Sequence, residues 1–375
     1  MFVLAGGKRA YGRPQNFTCT QLRLYRNEGD GRFTEISESA GLRILNPHTG
    51  EPMAKSLGVA FADFDGDGWP DIFVANDTVP NFLFRNRGDG TFEEVGTLAG
   101  VAFDVDGNAR GAMGIDIARF RSGDDCLGIA IGNFSNEMTA LYVSPPGSLQ
   151  FTDEAIANGL GPNTRLQLSF GLFFWDADLD GRLDLLQANG HLEVEISRVQ
   201  KSQTYEQAPQ LFWNAGSDQS TEFIPLTAAE CGSDFFRPLV GRGAAYADID
   251  GDGDLDVVIV ANGQAPRLLR NDQATGHHWL RVRLVGVECN RDAIGAEITL
   301  RTANGSQSRL IQPTRSYLSQ SELLATFGLG TAETIEQLTV LWPNGTREEI
   351  SPLPGVDRVI TITQSRGITG SSVPP

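Results

Sequence analysis

DFDGDGWPD, residues 63–71, places aspartate at 63, 65, 67 and 71 and tryptophan at 69. Four carboxylates this close repel one another. A folded chain that gathers them must either raise their pKa values or neutralise them with a cation.

The stretch recurs, and the recurrence decides the fold. SLGVAFADFDGDGWPDIFVAN (56–76), SFGLFFWDADLDGRLDLLQAN (169–189) and GRGAAYADIDGDGDLDVVIVAN (241–262) share one frame. Each has a small, Gly-bearing start, an apolar strand, an aspartate loop, a second apolar strand and Ala-Asn. RGAMGIDIARFRSGDDCLGIAIGNF (110–134) keeps the frame without the loop: Asp116 remains, but Ala118 and Phe120 replace the next two aspartates. A second phrase accompanies the units: LYRNEGDGRFTEI (24–36), LFRNRGDGTFEEV (83–95), LYVSPPGSLQFTDEA (141–155) and LFWNAGSDQSTEFIPL (211–226). Apolar residues lead into a Gly/Asp turn and then a short strand, which is a hairpin signal. One unit therefore holds about four strands in roughly 60 residues, the size of a propeller blade. Neighbouring blades cover both faces of each sheet, so strands such as IFVAN and VVIVAN are apolar on both sides. The expected fold is all-β: a β-propeller of four full blade units plus one partial over 1–273, then a small β-sandwich over 274–364 and a flexible tail over 365–375. FVLAG (2–6) matches the strand after an aspartate loop, so the chain is expected to begin inside a blade.

The frame Asp-x-Asp-x-Asp-Gly-x-x-Asp suits a hard cation. Alternate residues of extended backbone point to one side, and glycine at the sixth place permits a sharp turn. Calcium takes 6–8 oxygens, and the EF-hand opens with the same spacing, although its closing acid is a glutamate at position 12 and its flanks are helices. Magnesium suits a crowded all-protein cage less well. By position, site one is Asp63, Asp65, Asp67, the Trp69 carbonyl and Asp71. Site two is Asp176, Asp178, Asp180, the Arg182 carbonyl and Asp184. Site three is Asp248, Asp250, Asp252, the Asp254 carbonyl and Asp256. A polar turn would explain one such loop, but three in one frame favour about three calcium ions. Those ions would bring the formal charge of −17 to about −11. At 116–125 a plain turn is the expectation.

These units resemble FG-GAP/VCBS repeats, the calcium-loop blades also found in integrin α-subunit propellers. GHHWLRVRLVGVECNRDAIGAEITL (276–300), FGLG (327–330) and LTVLWPNGTREEI (338–350) resemble the ASPIC/UnbV domain. The pairing is that of the cartilage acidic protein family and its bacterial relatives. The resemblance implies an extracellular, calcium-binding propeller with an interaction role and no established catalytic activity. Partners would be protein or glycan ligands on the propeller face.

Composition agrees with this class and excludes others. The 375 residues suffice for two or three domains, and 43 glycines with 18 prolines suit many turns and short strands. The acidity disfavours nucleic acid and anionic membranes. Cys19, Cys126, Cys231 and Cys289 form no CxxC pair, so zinc is not expected, and their spacing selects no disulfide pairing. No apolar run reaches the ~18 residues of a membrane span. MFVLAGGKRAYG does not read as a signal peptide, so the compartment (extracellular, periplasmic or cell surface) rests on the calcium loops. Among His48, His191, His277 and His278, only His191 follows a blade strand near a propeller face, and a loop polar contact is its expected role. GRGAAYAD (241–248) opens a strand and is no dinucleotide loop. The carboxylate pairs that a glycosidase would need are those assigned to calcium. No catalytic residue and no organic cofactor is expected. The alternatives are a lectin using Trp69, Trp175 or Trp213 as sugar platforms and, last, a propeller hydrolase or lyase.

Overall fold

The computed structural model describes residues 2–3, 9–10, 12, 14–123 and 125–373. It is almost entirely β. Strands β1 (Phe2–Val3) and β2 (Arg9–Ala10) pair with each other, as do β3 (Tyr25–Gly29) and β4 (Arg32–Glu35). Blade one is an antiparallel meander of β5 (Ser56–Ala62), β6 (Asp71–Asn76), β7 (Phe82–Asn86) and β8 (Phe92–Glu94). Blade two repeats it with β9 (Ile115–Ala118), β10 (Leu127–Ile131), β11 (Ala140–Ser144) and β12 (Thr152–Asp153). Blade three uses β13 (Ser169–Trp175), β14 (Asp184–Asn189), β15 (Gln210–Asn214) and β16 (Phe223–Pro225). Blade four has β17 (Gly241–Ala247), β18 (Asp256–Ala261) and β19 (Arg267–Leu269).

The fourth unit was expected to be complete, but it has three strands among the described residues. RNDQATG (270–276) carries the chain straight into the next domain instead of turning back as a fourth strand. Of the expected FVLAG strand, Phe2 and Val3 form β1, while residues 4–6 lie outside the described residues.

The Gly-bearing start of each unit has a packing cause. First strands of successive blades lie side by side, and they approach too closely there for a side chain. A Cβ on Gly114 of blade two would sit 2.0 Å from the Phe170 carbonyl oxygen of blade three. A Cβ on Gly171 would sit 2.6 Å from the Arg242 carbonyl oxygen of blade four. The Ala-Asn ending is the matching device: Ser56 and Ser169 each donate their hydroxyl to the Asn76 and Asn189 side chains that end the neighbouring strands. β6, β10, β13 and β14 are buried at every position, since neighbouring blades cover both faces.

The C-terminal domain is a two-sheet sandwich. Its strands are β20 (His278–Val285), β21 (Glu297–Thr302), β22 (Gly305–Leu310), β23 (Thr314–Arg315), β24 (Ser319–Gln320), β25 (Ala325–Gly330), β26 (Gln337–Leu341), β27 (Arg347–Glu349), β28 (Arg358–Thr363) and β29 (Gly367–Ser372). One sheet runs β25-β20-β28-β29 and the other β22-β21-β26-β27. Leu280, Ile298, Phe327, Leu338 and Trp342 fill the core between them. The expected loose tail is instead β29, an edge strand. Its backbone pairs with β28 from Val359↔Ser372 to Thr363↔Gly367, so a polar composition did not prevent it from extending the sheet.

The small β23–β24 hairpin leaves this sandwich and enters among the first strands of the blades. Ser316 forms a bridge with Ile115, and its hydroxyl accepts the Ala244 amide. Gly243, whose counterparts pack against the next blade, packs here against Tyr317 and Ser319. Arg315 pairs with the fully buried Asp116, with Nη1 at 2.9 Å from Oδ1 and 3.0 Å from Oδ2. Removing one member of a buried pair leaves the other charge unpaired, which costs about 3–5 kcal/mol. Arg315→Ala should therefore lower unfolding stability by about that much, and adding Asp116→Asn should recover part of it. Denaturant titration checks this; a single-variant loss under about 1 kcal/mol would show the pair to be dispensable.

Candidate metal centres

Each loop lies between the first and second strands of its blade, so its ends are fixed by a β ladder. In blade one, oxygens of Asp63, Asp65 and Asp71 lie within 4.8 Å of one another. In blade three the group is Asp176, Asp178 and Asp180; in blade four it is Asp248, Asp250 and Asp256. The fourth acid of each frame stands outside its group. Asp67 and Asp252 each accept the amide two residues on, from Trp69 at 2.9 Å and Asp254 at 3.0 Å.

The ninth position does the same structural work in all three loops. Asp71 Oδ2 accepts the Phe64 amide at 3.1 Å, Asp184 Oδ2 the Ala177 amide at 3.0 Å, and Asp256 Oδ2 the Ile249 amide at 2.8 Å. The other oxygen accepts the amide of Asn86 at 2.7 Å, Asn214 at 2.8 Å or Asn271 at 2.9 Å. Each ninth aspartate thus ties its loop to the third strand. Sequence reasoning passed over these asparagines, although LFRN, LFWN and LLRN display the recurrence. Asn86 and Asn214 also donate their side-chain amides back to the loop, at the Pro70 and Leu183 carbonyls.

The electrostatics are those of acids short of positive charge. Burial pushes Asp71 up to about 7 and Asp176 up to about 8, with neighbouring aspartates adding to both. Burial also raises Asp184 well above the carboxylate range, and raises Asp63, Asp180 and Asp252. Asp254, offered as a carbonyl donor, has its side chain raised to about 6 by burial, and it accepts from Gln273. Asp176 Oδ1 is buried without a hydrogen-bond partner among the described residues. A buried oxygen of this kind has neither water nor a donor to meet charge placed on it, although Arg309 stands 3.5 Å from the other oxygen, Oδ2. The donor set fits a hard, oxygen-seeking dication: carboxylates alone, with no His or Cys in any of the three groups. With a dication in place, Asp63, Asp65 and Asp71, Asp176, Asp178 and Asp180, and Asp248, Asp250 and Asp256 would hold it.

The loops differ in cover. Loop one is solvent-facing, and Arg85 of its own blade approaches Asp65 at 2.8 Å and Asp67 at 3.8 Å. Loops two and three face the C-terminal sandwich. Gly328 donates its amide to Asp176 Oδ2 at 3.0 Å, and Trp279 packs so tightly on Gly253 that a Cβ there would lie 2.1 Å from the indole.

The remaining candidates are placed as follows. Trp69 is half exposed (51%), while Trp175 is buried in the core. Trp213 donates its indole N–H to Asp178 at 3.0 Å and lies under Arg182. His191 is buried, with Nδ1 accepting the Glu193 amide at 3.0 Å and Nε2 at 3.3 Å from the Ser135 hydroxyl. Burial and Arg242 lower its pKa. His277 reaches the Asp178 carbonyl oxygen and His278 the Asp357 carboxylate, so the adjacent pair diverges. None of the four cysteines is joined in a disulfide among the described residues.

The raised carboxyls set a pH dependence. Asp71 and Asp176 titrate near 4 when unfolded but hold their protons to about 7 and about 8 when folded. The metal-free folded state then binds more protons than the unfolded chain between those values, so its stability falls as pH rises through that window. The slope is at most about 1.4 kcal/mol per pH unit for each such group. Thermal melts in chelator should show the melting temperature decreasing from pH 5 to pH 8, with added calcium restoring most at the upper end. A flat or rising metal-free profile would contradict the geometry of these loops.

Comparison with known families agrees with this architecture. The FG-GAP-like repeat profile matches residues 11–74 and 63–120, and the ASPIC and UnbV profile matches 286–369. Cartilage acidic protein 1 of Xenopus tropicalis is 28% identical over 315 residues, covering 83% of this chain and 44% of that protein. The Homo sapiens protein of the same name is 29% identical over 280 residues, covering 73% and 39%. The chain spans less than half the length of these curated relatives. Among solved structures, the BP39L lectin from Burkholderia pseudomallei aligns with a TM-score of 0.40 at 10% identity, covering 88% of this chain and 92% of that one. Rhamnogalacturonan lyase YesW aligns with a TM-score of 0.33 at 12% identity, covering 82% and 66%. Scores this low establish neither a shared fold nor a shared function. FG-GAP-like repeats over 11–120 and an ASPIC and UnbV domain over 286–369 are thus detected in this chain, in keeping with its blades, acidic loops and appended sandwich.

Proposed function

We propose that the protein is a non-enzymatic, calcium-stabilised interaction module acting outside the cell, in the periplasm or at the cell surface. The observation that carries this reading is the buried, unpartnered Asp176 Oδ1 inside a ring of carboxylates repeated in three blades. Calcium would neutralise that charge and lock each loop between its strands. Loops of this kind fill at the ~10⁻⁴–10⁻³ M affinities of extracellular modules, which cytosolic calcium does not reach. The engaged histidines support a binding rather than a catalytic role, since each ring nitrogen described above already meets a structural partner. No helix among the described residues is long and apolar enough to cross a membrane.

A glycan ligand is the second reading, and one observation favours it. The Trp69 indole is half exposed beside the turn at Gly88 and so presents an apolar plate next to loop one. Glycan-array binding that disappears in Trp69→Ala would support it, and an unaltered or absent signal would remove it.

Titration calorimetry tests the main reading. About three calcium ions should bind per chain, and Asp65→Asn, Asp178→Asn and Asp250→Asn should each remove about one. Absence of heat, with no calcium-induced rise in melting temperature, would overturn it.

A further inference from the structure

In three consecutive blades, an aspartate meets an arginine of the C-terminal domain. Arg315 pairs with Asp116 of blade two. Arg309 Nη2 lies 3.5 Å from Asp176 Oδ2 of blade three. Arg281 Nη1 lies 2.6 Å from Asp248 Oδ2 of blade four. In blades three and four that aspartate is the first of the loop frame, whereas Asp116, expected from the sequence to hold the same place, lies inside β9 opposite Ala130, three residues before the frame's first position, where Arg119 stands. Loop one differs, since its arginine, Arg85, comes from the same blade and contacts the third and fifth positions.

Charge separates these blades into two kinds. In blade two, Arg119 stands where the frame's first aspartate would be, and Asp116 is a lone carboxylate within the first strand. Its oxygens are filled by Arg315, Gln312 and the Phe174 amide. One negative charge is met by one guanidinium, which leaves no vacancy for a dication. Loops two and three carry four frame aspartates each. A dication leaves such a set net negative, so cation and arginine are not rivals there. On Asp176 they also have separate oxygens to use, whereas Asp248 Oδ1 accepts the Gly251 amide and Oδ2 the Gly253 amide and Arg281. Asp176 Oδ2 accepts the Gly181 and Gly328 amides and faces Arg309, while Oδ1 is the buried oxygen without a partner.

We propose that Asp176 and Asp248 are bridges through which cation loading of loops two and three and docking of the C-terminal domain strengthen each other, with Arg315 standing as the permanent cation of blade two. The inference rests on the calcium reading above. A bound dication draws the carboxylates together and holds Asp176 with one oxygen toward Gly328 and Arg309. Without it, repulsion among the carboxylates would weaken the hold of Asp176 on the Gly328 amide. Such coupling is reciprocal: a docked domain must tighten the cation sites by the same factor.

Hydrogen exchange on the full chain, with and without saturating calcium, reads this directly. Exchange in 325–330, which contains the Gly328 amide, should slow by about 5- to 150-fold with calcium, the usual range for coupled sites. The Ser316 amide, bonded to the Ile115 carbonyl oxygen next to Arg315, should not change. In Asp178→Asn, whose side chain bonds Trp213 and not the C-terminal domain, the slowing at 325–330 should vanish while Ser316 stays protected. Calorimetric binding without slowing at 325–330 would overturn the inference and leave the calcium reading intact. No binding heat would overturn both. Equal slowing at Ser316 would overturn the division between blade two and its neighbours.

Discussion

Negative charge packed between β-strands is the constraint on which the rest of this structure depends. The strands β6, β13 and β14 beside the loops are buried at every position and β5, β17 and β18 in part, and the ninth aspartate is drawn inward to accept two backbone amides. That tie fixes the loop against the third strand but brings a carboxylate into a poorly solvated site beside three others. Burial then favours the neutral acid, as the upward shifts at Asp71, Asp176 and Asp184 record. Positive charge must come from somewhere, and the protein has two sources: a dication, where four carboxylates gather, and arginine, where one remains.

Blade two shows how closely the two solutions correspond. Its loop carries Arg119 where the other blades carry the first aspartate, yet the first strand and its glycine persist, and that strand holds a lone carboxylate, Asp116. The guanidinium of Arg315 occupies the place that charge balance demands, delivered by a hairpin from another domain. The same hairpin packs on Gly243, where other blades receive the next blade's first strand. The C-terminal sandwich is therefore part of the blade assembly, joined to it through buried ion pairs at the loop bases.

Much of this was legible in the sequence because it is local. Strand, loop, strand and hairpin recur within a short span, and period-two apolarity with Gly/Asp turns reports each of them. That each loop gathers acids follows from spacing, but which three approach one another does not, since Asp67, Asp184 and Asp252 stand outside their groups. The recurring asparagine was visible too, but its role depends on a backbone amide across the sheet, which spacing does not convey. Arg281, Arg309 and Arg315 gave no signal: Arg315 and Asp116 lie 199 residues apart, and arginines in a sandwich strand or hairpin read as ordinary surface charge. The missing fourth strand of blade four and the extra strand β29 were misread for a related reason. Strand pairing at an edge is decided by the neighbour present rather than by the segment's own composition.

Long-wavelength diffraction from crystals grown in calcium tests the central claim most directly. Anomalous peaks should mark three ions, at Asp63/Asp65/Asp71, Asp176/Asp178/Asp180 and Asp248/Asp250/Asp256, with none beside Asp116. Empty loops with carboxylates turned apart, or an ion at Asp116 in place of the arginine, would contradict the account.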